Sequence, residues 1–205
     1  MTVARARIQE TTRGGGGETR PAPHERILSV ARELFCRHGI HATGIDRILA
    51  EASASKMTLY SRFGSKEALL REVLAREGAA QRAAIYGAIE AAGPDPKQGL
   101  FAVIEGLRGL FRDDDFYGCA FMNAAAEHTK GAGAETWLRE VAKAHSDELL
   151  VRLQSLAEAA GYPDPNTLAR QVQLVMDGAI AALMVSGDKD VLALSERNLR
   201  AILGL

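Results

Sequence analysis

The apolar residues between positions 25 and 74 recur at helical spacing, but in several short segments instead of one long run. The first segment forms the stripe of an amphipathic helix, with apolar residues at i, i+3, i+4, i+7 and i+8: Ile27, Val30, Ala31, Leu34 and Phe35. Gly39 follows this stripe where a C-terminal cap is expected. The pattern therefore predicts a first helix that starts near Glu25 and stops at Gly39.

A second helix of barely two turns is predicted directly after the first. Its inward positions are apolar: Ile45, Ile48, Leu49 and Ala52. Thr43 precedes it as an N-cap, and Asp46 lies three residues later, the spacing of a capping box. Ser53 and Ala54 then interrupt the helix.

The third predicted helix is also short, and most of it faces outward. Ser55 is suited to cap it, and only Leu59 and Phe63, four residues apart, need to face inward. The outward residues combine cations, hydroxyls and one flexible apolar group, with no carboxylate: Lys56, Met57, Thr58, Tyr60, Ser61 and Arg62. A surface of this composition suits phosphates and base edges.

A fourth helix begins after Gly64, which ends the third, with Ser65 as its cap. Its stripe consists of four apolar residues: Leu69, Leu70, Val73 and Leu74. A helix, a short helix, a tight turn and a short polar-faced helix form the helix-turn-helix arrangement, in which the second short helix lies in the major groove.

These residues resemble the tetracycline-repressor (TetR) family of bacterial transcription regulators. The resemblance lies in "RILSVARELFCRHG" from Arg26 to Gly39 and in "ASASKMTLYSRFGSKEALL" from Ala52 to Leu70. It implies an all-α fold. It also implies that residues 23–70 form an N-terminal three-helix helix-turn-helix DNA-binding domain and that residues 71–205 form a C-terminal helical domain for ligand binding and dimerisation.

Four positions depart from the family pattern. Ser53 and Ala54 replace the usual Gly-Val of the turn. Ser53 must therefore either adopt the left-handed conformation, at ~1 kcal/mol, or let the turn bend differently. Met57 stands where a glycine is common, and Arg62 replaces a frequent aromatic residue or histidine. Because Met57 alters which bases can be approached, the operator is expected to differ from those of relatives.

The resemblance also implies roles for individual residues. By resemblance, Thr43, Tyr60 and Lys66 hold phosphates. The residues that face base edges are Lys56, Met57, Thr58 and Ser61, and Arg62 adds a phosphate or guanine contact. For Tyr60 a packing role, and for Thr43 a purely capping role, remain as alternatives.

Helical patterns continue to the end of the chain. The fourth helix extends to Ala92, and Asp95 and Pro96 begin a fifth. The predicted C-terminal helices are Pro96 to about Arg112, Cys119 to His128, Glu135 to Ala160, Thr167 to Ser186 and Val191 to Leu203. The inward face of the fifth helix comprises Leu100, Val103, Ile104, Leu107 and Phe111.

The last two helices are the candidates for dimerisation. The stretch "LVMDGAIAALMV" around Gly178 is apolar on almost every side, which implies close packing on more than one face. A buried core helix also explains this pattern. The family resemblance implies a homodimer through Asn166 to Leu203, built as a four-helix interface and matched to a palindromic operator.

The resemblance further implies a small-molecule inducer bound in the C-terminal domain. Aromatic, polarizable and a few polar residues would wall its pocket: Phe101, Ile104, Phe111, Phe121, Met122, Asn123, Trp137 and Met176. A wider set of candidates adds Phe116, Tyr117, His128 and His145. Cys119 is a sensor of oxidants or electrophiles if it is exposed and acidic, and otherwise a structural buried thiol.

Charge is distributed unevenly. Residues 1–78 hold 13 Lys and Arg against 9 Asp and Glu, or +4, and the remainder holds 12 against 17, or −5. This excess favours an anionic partner for the N-terminal part, although a solvated charged face explains it equally well. Residues 1–22 combine a glycine run with no periodicity and are predicted to be a disordered tail. Its arginines either follow the DNA backbone or minor groove or are inert: Arg5, Arg7, Arg13 and Arg20.

Other classes of protein find little support. His145, Ser146 and Asp147 are adjacent on one helix and point about 100° apart, so they cannot form a catalytic triad. His38 and His41 have no further ligand to complete a metal site. We expect no metal, no cofactor and no catalytic residue. Two distant cysteines, and no signal peptide or membrane-spanning run, indicate a cytoplasmic protein.

The sequence therefore predicts a dimeric DNA-binding repressor that a small molecule releases from double-stranded operator DNA. A ligand-independent dimeric DNA-binding protein is the main alternative, and a helical enzyme is a remote one.

Overall fold

A computed structural model of the chain describes residues 21–112, 118–127, 136–188 and 190–205. Within these ranges the secondary structure is helical and contains no strand. The helices are α1 (Pro23–His38), α2 (Ile45–Ala52), α3 (Lys56–Phe63), α4 (Lys66–Ala91), α5 (Pro96–Arg112), α6 (Ala120–Glu127), α7 (Thr136–Ala159), α8 (Pro165–Ser186) and α9 (Val191–Leu203). The predicted all-α fold is confirmed.

Several predictions fall on residues outside these ranges. They concern residues 1–20 of the proposed tail, the pocket candidates Phe116, Tyr117 and His128, and the predicted start of α7 at Glu135. Pro21 and Ala22, the last two residues of the proposed tail, precede α1, which has Pro23 at its first position.

Serine hydroxyls cap the N-termini of α3 and α4. The Ser55 hydroxyl accepts a hydrogen bond from the Thr58 N–H at 3.1 Å, and the Ser65 hydroxyl accepts one from the Ala68 N–H at 3.0 Å. Both predicted caps are therefore confirmed. They satisfy backbone donors that have no partner within the first turn of a helix.

The predicted capping box at Thr43 is wrong. Gly44 is the N-cap of α2, and no side chain caps this helix. The Thr43 hydroxyl instead donates to the Gly39 carbonyl at 2.7 Å and to the Leu34 carbonyl at 3.2 Å. It thereby ties the α1–α2 turn to the C-terminal end of α1.

The N-terminal helices enclose a small apolar core. Ile27 of α1, Ile48 of α2, Leu59 of α3 and Leu69 of α4 have no exposed surface. In α3, Leu59 is buried and Phe63 is half-buried, as the spacing predicts. The opposite face of α3 is consequently left to solvent.

Helix α4 packs against helices of both the N-terminal and the C-terminal domain. Near its start it packs against α1, where Arg32 of α1 forms an ion pair with Glu77 at 2.5 Å. Farther along it packs closely on α5, because Gly106 has no side chain and a Cβ there would lie 2.6 Å from Ile85 Cδ1. The predicted domain boundary between residues 70 and 71 falls inside this continuous helix.

The C-terminal helices surround a second core. The predicted inward residues of α5 are all buried: Leu100, Val103, Ile104, Leu107 and Phe111. Helix α8 packs between α7 and α9. By length and composition it is the one helix of the described residues that is apolar enough to cross a membrane, and 39% of its most apolar window is buried. The core helix of a soluble protein has the same properties.

The turn between α2 and α3 adopts a strained backbone. Ser53 has φ 47° and ψ 53°, and it is the one non-glycine residue with positive φ in the described part of the chain. Of the two alternatives predicted for Ser53, a left-handed conformation or a different bend of the turn, the structure has the left-handed conformation. This conformation costs a residue with a Cβ on the order of 1 kcal/mol relative to glycine.

We expect Ser53→Gly to raise the free energy of unfolding by about 0.5–1 kcal/mol, because glycine adopts positive φ without the Cβ clash. Chemical denaturation measures the change. Gly64, at φ 78° with open space around it, provides the matched control. Gly64→Ala should lower stability by about 1 kcal/mol, and a loss of stability in Ser53→Gly would contradict the assignment of strain.

Candidate nucleic-acid interface and internal cavity

The outward face of α3 is the most prominent surface of the N-terminal domain. Met57 is 79% exposed and Tyr60 is 50% exposed, and the two lie three residues apart on this face. Lys56, Ser61 and Arg62 are also exposed, whereas Thr58 is half-buried. An exposed face with this chemistry matches the recognition helix of a helix-turn-helix.

A guanidinium group holds the turn that orients α3. Arg26 of α1 donates from Nε to the Ala52 carbonyl at 3.0 Å and from Nη2 to the Ser53 carbonyl at 2.9 Å. These two bonds hold Ala52, at the end of α2, and Ser53, in the left-handed conformation, to the same side chain of α1. Sequence reasoning missed Arg26, because its partners lie 26 and 27 residues away and no periodic pattern indicates them.

An acidic residue lies beside the recognition face. The Lys56 ammonium is 2.8 Å from the Asp46 carboxylate of α2, and hydrogen bonding to this carboxylate raises the pKa of Lys56. The residues of α3 include no carboxylate, as the sequence indicates, but the neighbouring helix supplies one. The positive charge of Lys56 is therefore partly balanced in the absence of DNA.

The hydroxyls of α3 are engaged in local hydrogen bonds. Thr58 Oγ1 lies 3.0 Å from Ser55 Oγ, and Ser61 Oγ donates to the Thr58 carbonyl at 3.2 Å. The Arg62 guanidinium lies 5.7 Å from the centre of the Phe63 ring. These contacts limit the rotamers of the face before any ligand binds.

Two residues expected at phosphates have partners within the protein. Thr43 has no exposed surface in this conformation, and its hydroxyl is used within the protein. Lys66 donates from Nζ to the Ile40 carbonyl at 2.7 Å, and its Nζ lies 5.9 Å from the centre of the Phe35 ring. Lys66 is half-buried, and an ammonium group has three donors.

The turn between α1 and α2 is also bound by the C-terminal domain. The Glu127 carboxylate, at the end of α6, accepts hydrogen bonds from the Ile40 N–H at 2.8 Å and from the His41 N–H at 3.0 Å. Gly39 makes this approach possible, since a Cβ there would lie 3.0 Å from Glu127 Oε1. Sequence reasoning missed Glu127, which lies 87 residues from Ile40.

An internal cavity of about 180 Å³ lies among α4, α5, α6, α7 and α8. Three predicted pocket residues, Phe121, Met122 and Met176, line it, as does His145 from the wider set. Its wall also contains polar residues that the sequence did not single out as pocket residues: Gln81, Arg82, Ser146, Gln173 and Asp177.

Five predicted pocket residues do not line this cavity. Ile104 and Phe111 are buried elsewhere in the core, and Asn123 lines a separate groove that includes Gly39. Phe101 packs under the Arg200 guanidinium at 4.5 Å, and Trp137 packs under that of Arg71 at 4.0 Å. Apart from Asn123, these side chains pack against other parts of the protein, and none of the five borders this cavity.

Cys119 and His145 are among the ionisable residues of the cavity wall whose pKa is shifted away from the charged form. Burial raises the pKa of the Cys119 thiol, whose Sγ lies 3.9 Å from Gln81 Oε1. This favours the buried structural thiol over the sensor. Burial, assisted by Arg82 and opposed by Glu148, lowers the pKa of His145. The His145 ring stacks on Phe121 with centroids 3.9 Å apart.

The chain resembles known regulators in sequence and in structure. Residues 27–73 match the family described as "Bacterial regulatory proteins, tetR family". The HTH-type transcriptional repressor SCO4008 of Streptomyces coelicolor is 43% identical over 56 residues, which are 27% of this chain and 29% of that protein. The HTH-type transcriptional regulator LmrA of Bacillus subtilis is 36% identical over 88 residues, or 42% and 46% of the two chains. These matches span less than half of each relative.

A solved structure extends the similarity to the C-terminal helices. SCO4454, a TetR-family transcriptional regulator from Streptomyces coelicolor, has a TM-score of 0.77 and 30% sequence identity, and the match covers 89% of this chain and 94% of that one. Together with the exposed face of α3, this defines a DNA-binding transcription regulator of the helix-turn-helix class and not an enzyme. The chain belongs to the TetR family, as the sequence motifs indicate.

We expect Asp46→Asn to tighten binding to DNA of any sequence by about twofold to fivefold at low salt, because it removes the carboxylate that competes with phosphates for Lys56. The slope of log affinity against log salt should become steeper by up to roughly one unit. Fluorescence anisotropy at several salt concentrations measures both effects.

Glu33→Gln is the matched control, since Glu33 pairs with Arg37 on α1 at 2.9 Å and the substitution changes net charge equally. Equal tightening in both variants would indicate a general charge effect and not a local role of Asp46.

Proposed function

We propose that the protein is a cytoplasmic repressor that binds a palindromic operator as a homodimer and is released by a small-molecule inducer. The observation that carries the proposal is the exposed, cationic and hydroxyl-rich face of α3, which Arg26 and the Ser53 turn hold on a buried core. The name of SCO4008 describes that relative as a repressor, which supports the same direction of regulation here.

Each exposed side chain of α3 has a role in this proposal. Tyr60 holds a phosphate, together with Lys66 at the start of α4, where the Ile40 carbonyl occupies one of its three donors. The residues that meet base edges in the major groove are Lys56, Met57, Thr58 and Ser61, and Arg62 contacts a phosphate or a guanine. The 79% exposure of Met57 supports an apolar contact, such as that with a thymine methyl group.

The dimer is proposed to form through α8 and α9, within Asn166 to Leu203. On α8, Leu174 is 69% exposed and Val185 is 90% exposed, and Gly178 and Ala181 lie between them on the same exposed stripe. On α9, Leu194 is 52% exposed. Gly178 has nothing within 4 Å of a built Cβ, so a second helix has room to approach it closely.

A two-fold dimer places the two α3 helices on one side of the DNA. Half-sites one helical turn apart are separated by roughly 34 Å, which fixes the spacing that the dimer must present. A displacement of a few ångströms between the two α3 helices therefore weakens binding. In this proposal the inducer causes such a displacement.

Two connections link the cavity to the DNA-binding domain. Helix α4 contributes Gln81, Arg82 and Ile85 to the cavity wall and continues back to Lys66. Helix α6 contributes Phe121 and ends at Glu127, which binds the α1–α2 turn. We propose that an inducer shifts both helices, with a coupling free energy on the usual scale of ~1–3 kcal/mol.

The direct test is binding of the purified protein to its own upstream intergenic DNA at several salt concentrations, followed by footprinting. We expect a protected palindrome and a steep salt dependence. Absence of specific binding to that DNA and to a random-sequence library would contradict the proposal. Release of the operator in a metabolite panel separates the inducible repressor from the ligand-independent alternative.

Single variants test the proposed roles. Lys66→Ala should weaken binding to every DNA sequence and lower the salt slope by about one unit, whereas Thr58→Ala should change the preferred bases. Because Lys66 also binds the Ile40 carbonyl, the unfolding free energy of the variant is measured first. Arg139→Ala on α7 provides the matched loss of a cation, and identical effects of Lys66→Ala and Thr58→Ala would contradict the division of roles.

We expect Leu174→Glu together with Val185→Glu to convert the dimer to monomers, because paired carboxylates would be buried at the interface. Analytical ultracentrifugation measures the state, and operator affinity should fall at least about a hundredfold with the loss of the second half-site. Val151→Glu is the control, since Val151 is 60% exposed on α7, outside the stripe. If the double variant remains dimeric, the interface does not lie on this stripe.

A further inference from the structure

The internal cavity contains one charged side chain without a partner. Asp177 of α8 lies on its wall and forms no hydrogen bond or ion pair with another described residue. It is half-buried, and this burial raises the pKa of its carboxyl group. A carboxylate in apolar surroundings is unfavourable unless a positive charge or hydrogen-bond donors compensate it.

We propose that the cavity binds a compact organic cation, an amine with a small hydrocarbon body, whose ammonium group pairs with Asp177. This inference rests on the proposed function, because it names the chemical class of the inducer for that same cavity.

The other charged and titratable groups of the wall do not neutralise Asp177. The Arg82 guanidinium is 2.7 Å from the Glu148 carboxylate, so its charge is already balanced. His145 has a lowered pKa and is neutral at pH 7, and the raised pKa of Cys119 keeps its thiol protonated. Within the described wall, Asp177 is therefore the unbalanced charge, and its sign selects a cation.

The remaining wall selects the body of the ligand. It is mainly apolar, with contributions from Ile85, Leu107, Leu110, Leu149, Met176 and Ile180. The volume of about 180 Å³ is slightly larger than the engineered cavity of about 150 Å³ that holds benzene. A single ring or a short branched chain fits this space, and larger bodies require the walls to move.

Phe121 connects the cavity to the neighbouring helices. Its ring lies on the cavity wall. The same ring stacks on His145. It also lies against α4, because a Cβ built at Gly78 would be 3.0 Å from Phe121 Cζ. A ligand that displaces Phe121 therefore pushes on α4 and on α6 together.

The test compares three compounds with the same phenylethyl body and different head groups: 2-phenylethylamine, 2-phenylethanol and 3-phenylpropionate. Isothermal titration calorimetry with the full chain measures their dissociation constants at pH 7. We expect the amine to bind about tenfold or more tightly than the alcohol, as charge-assisted hydrogen bonds usually allow. The carboxylate should bind least well.

Asp177→Asn is the decisive variant, because it keeps the shape of the side chain and removes its charge. We expect the preference for the amine over the alcohol to fall to within about threefold, while binding of the alcohol is retained. Asp147→Asn is the matched control: Asp147 is exposed and already paired with Lys143, so the same change in net charge there should leave the preference intact.

The outcomes distinguish this inference from the proposed function. Equal binding of amine and alcohol to the wild type, tighter binding of the carboxylate, an unchanged preference in Asp177→Asn, or no binding of any compound would each overturn the cation assignment. The proposed function would stand in those cases if another compound in the metabolite panel releases the operator. If the amine binds as expected but no compound in that panel releases the operator, the cation site stands and the inducible repressor does not.

Discussion

Helix α4 is the element on which the rest of the structure depends, because it belongs to both domains without a break. Its 26 residues correspond to a rod of roughly 39 Å at 1.5 Å per residue. Leu69 near its start closes the core beneath α3, and Ile85 contributes to both the contact with Gly106 and the cavity wall. The positions of the DNA-binding face and of the cavity are therefore fixed relative to each other by one continuous backbone.

The sequence predicted those features of the fold that depend on neighbours a few residues apart. Apolar spacing gave the helices, and Ser55 and Ser65 were identifiable as caps because each bonds an N–H three residues later. The capping role expected for Thr43 was wrong because its hydroxyl donates back across a turn, to the Gly39 and Leu34 carbonyls, instead of accepting from the helix that follows. The pairing of Lys56 with Asp46 was missed for the same reason, since it joins two helices across the Ser53 turn.

The cavity was less predictable than the DNA-binding face, because composition does not reveal which side of a helix borders empty space. Aromatic side chains appeared suited to a pocket, yet Phe101 and Trp137 serve as platforms for guanidinium groups. Asp177, by contrast, looks like an ordinary acidic residue in an apolar stretch. Its significance depends on the described cavity wall, where the one arginine, Arg82, already pairs with Glu148, and this becomes visible once α4, α6 and α7 are assembled around it.

Glu127 connects the domains through main-chain N–H groups, at Ile40 and His41, and not through their side chains. Every residue type except proline offers that donor. The exposed residue at position 41 is consequently free to change over evolutionary time without loss of the contact, provided that it does not become proline and that residue 39 stays glycine, whereas Ile40 is held to an apolar residue by its burial in the core. Regulators descended from this sequence can thus change the surface of this turn while inheriting the same link between their domains.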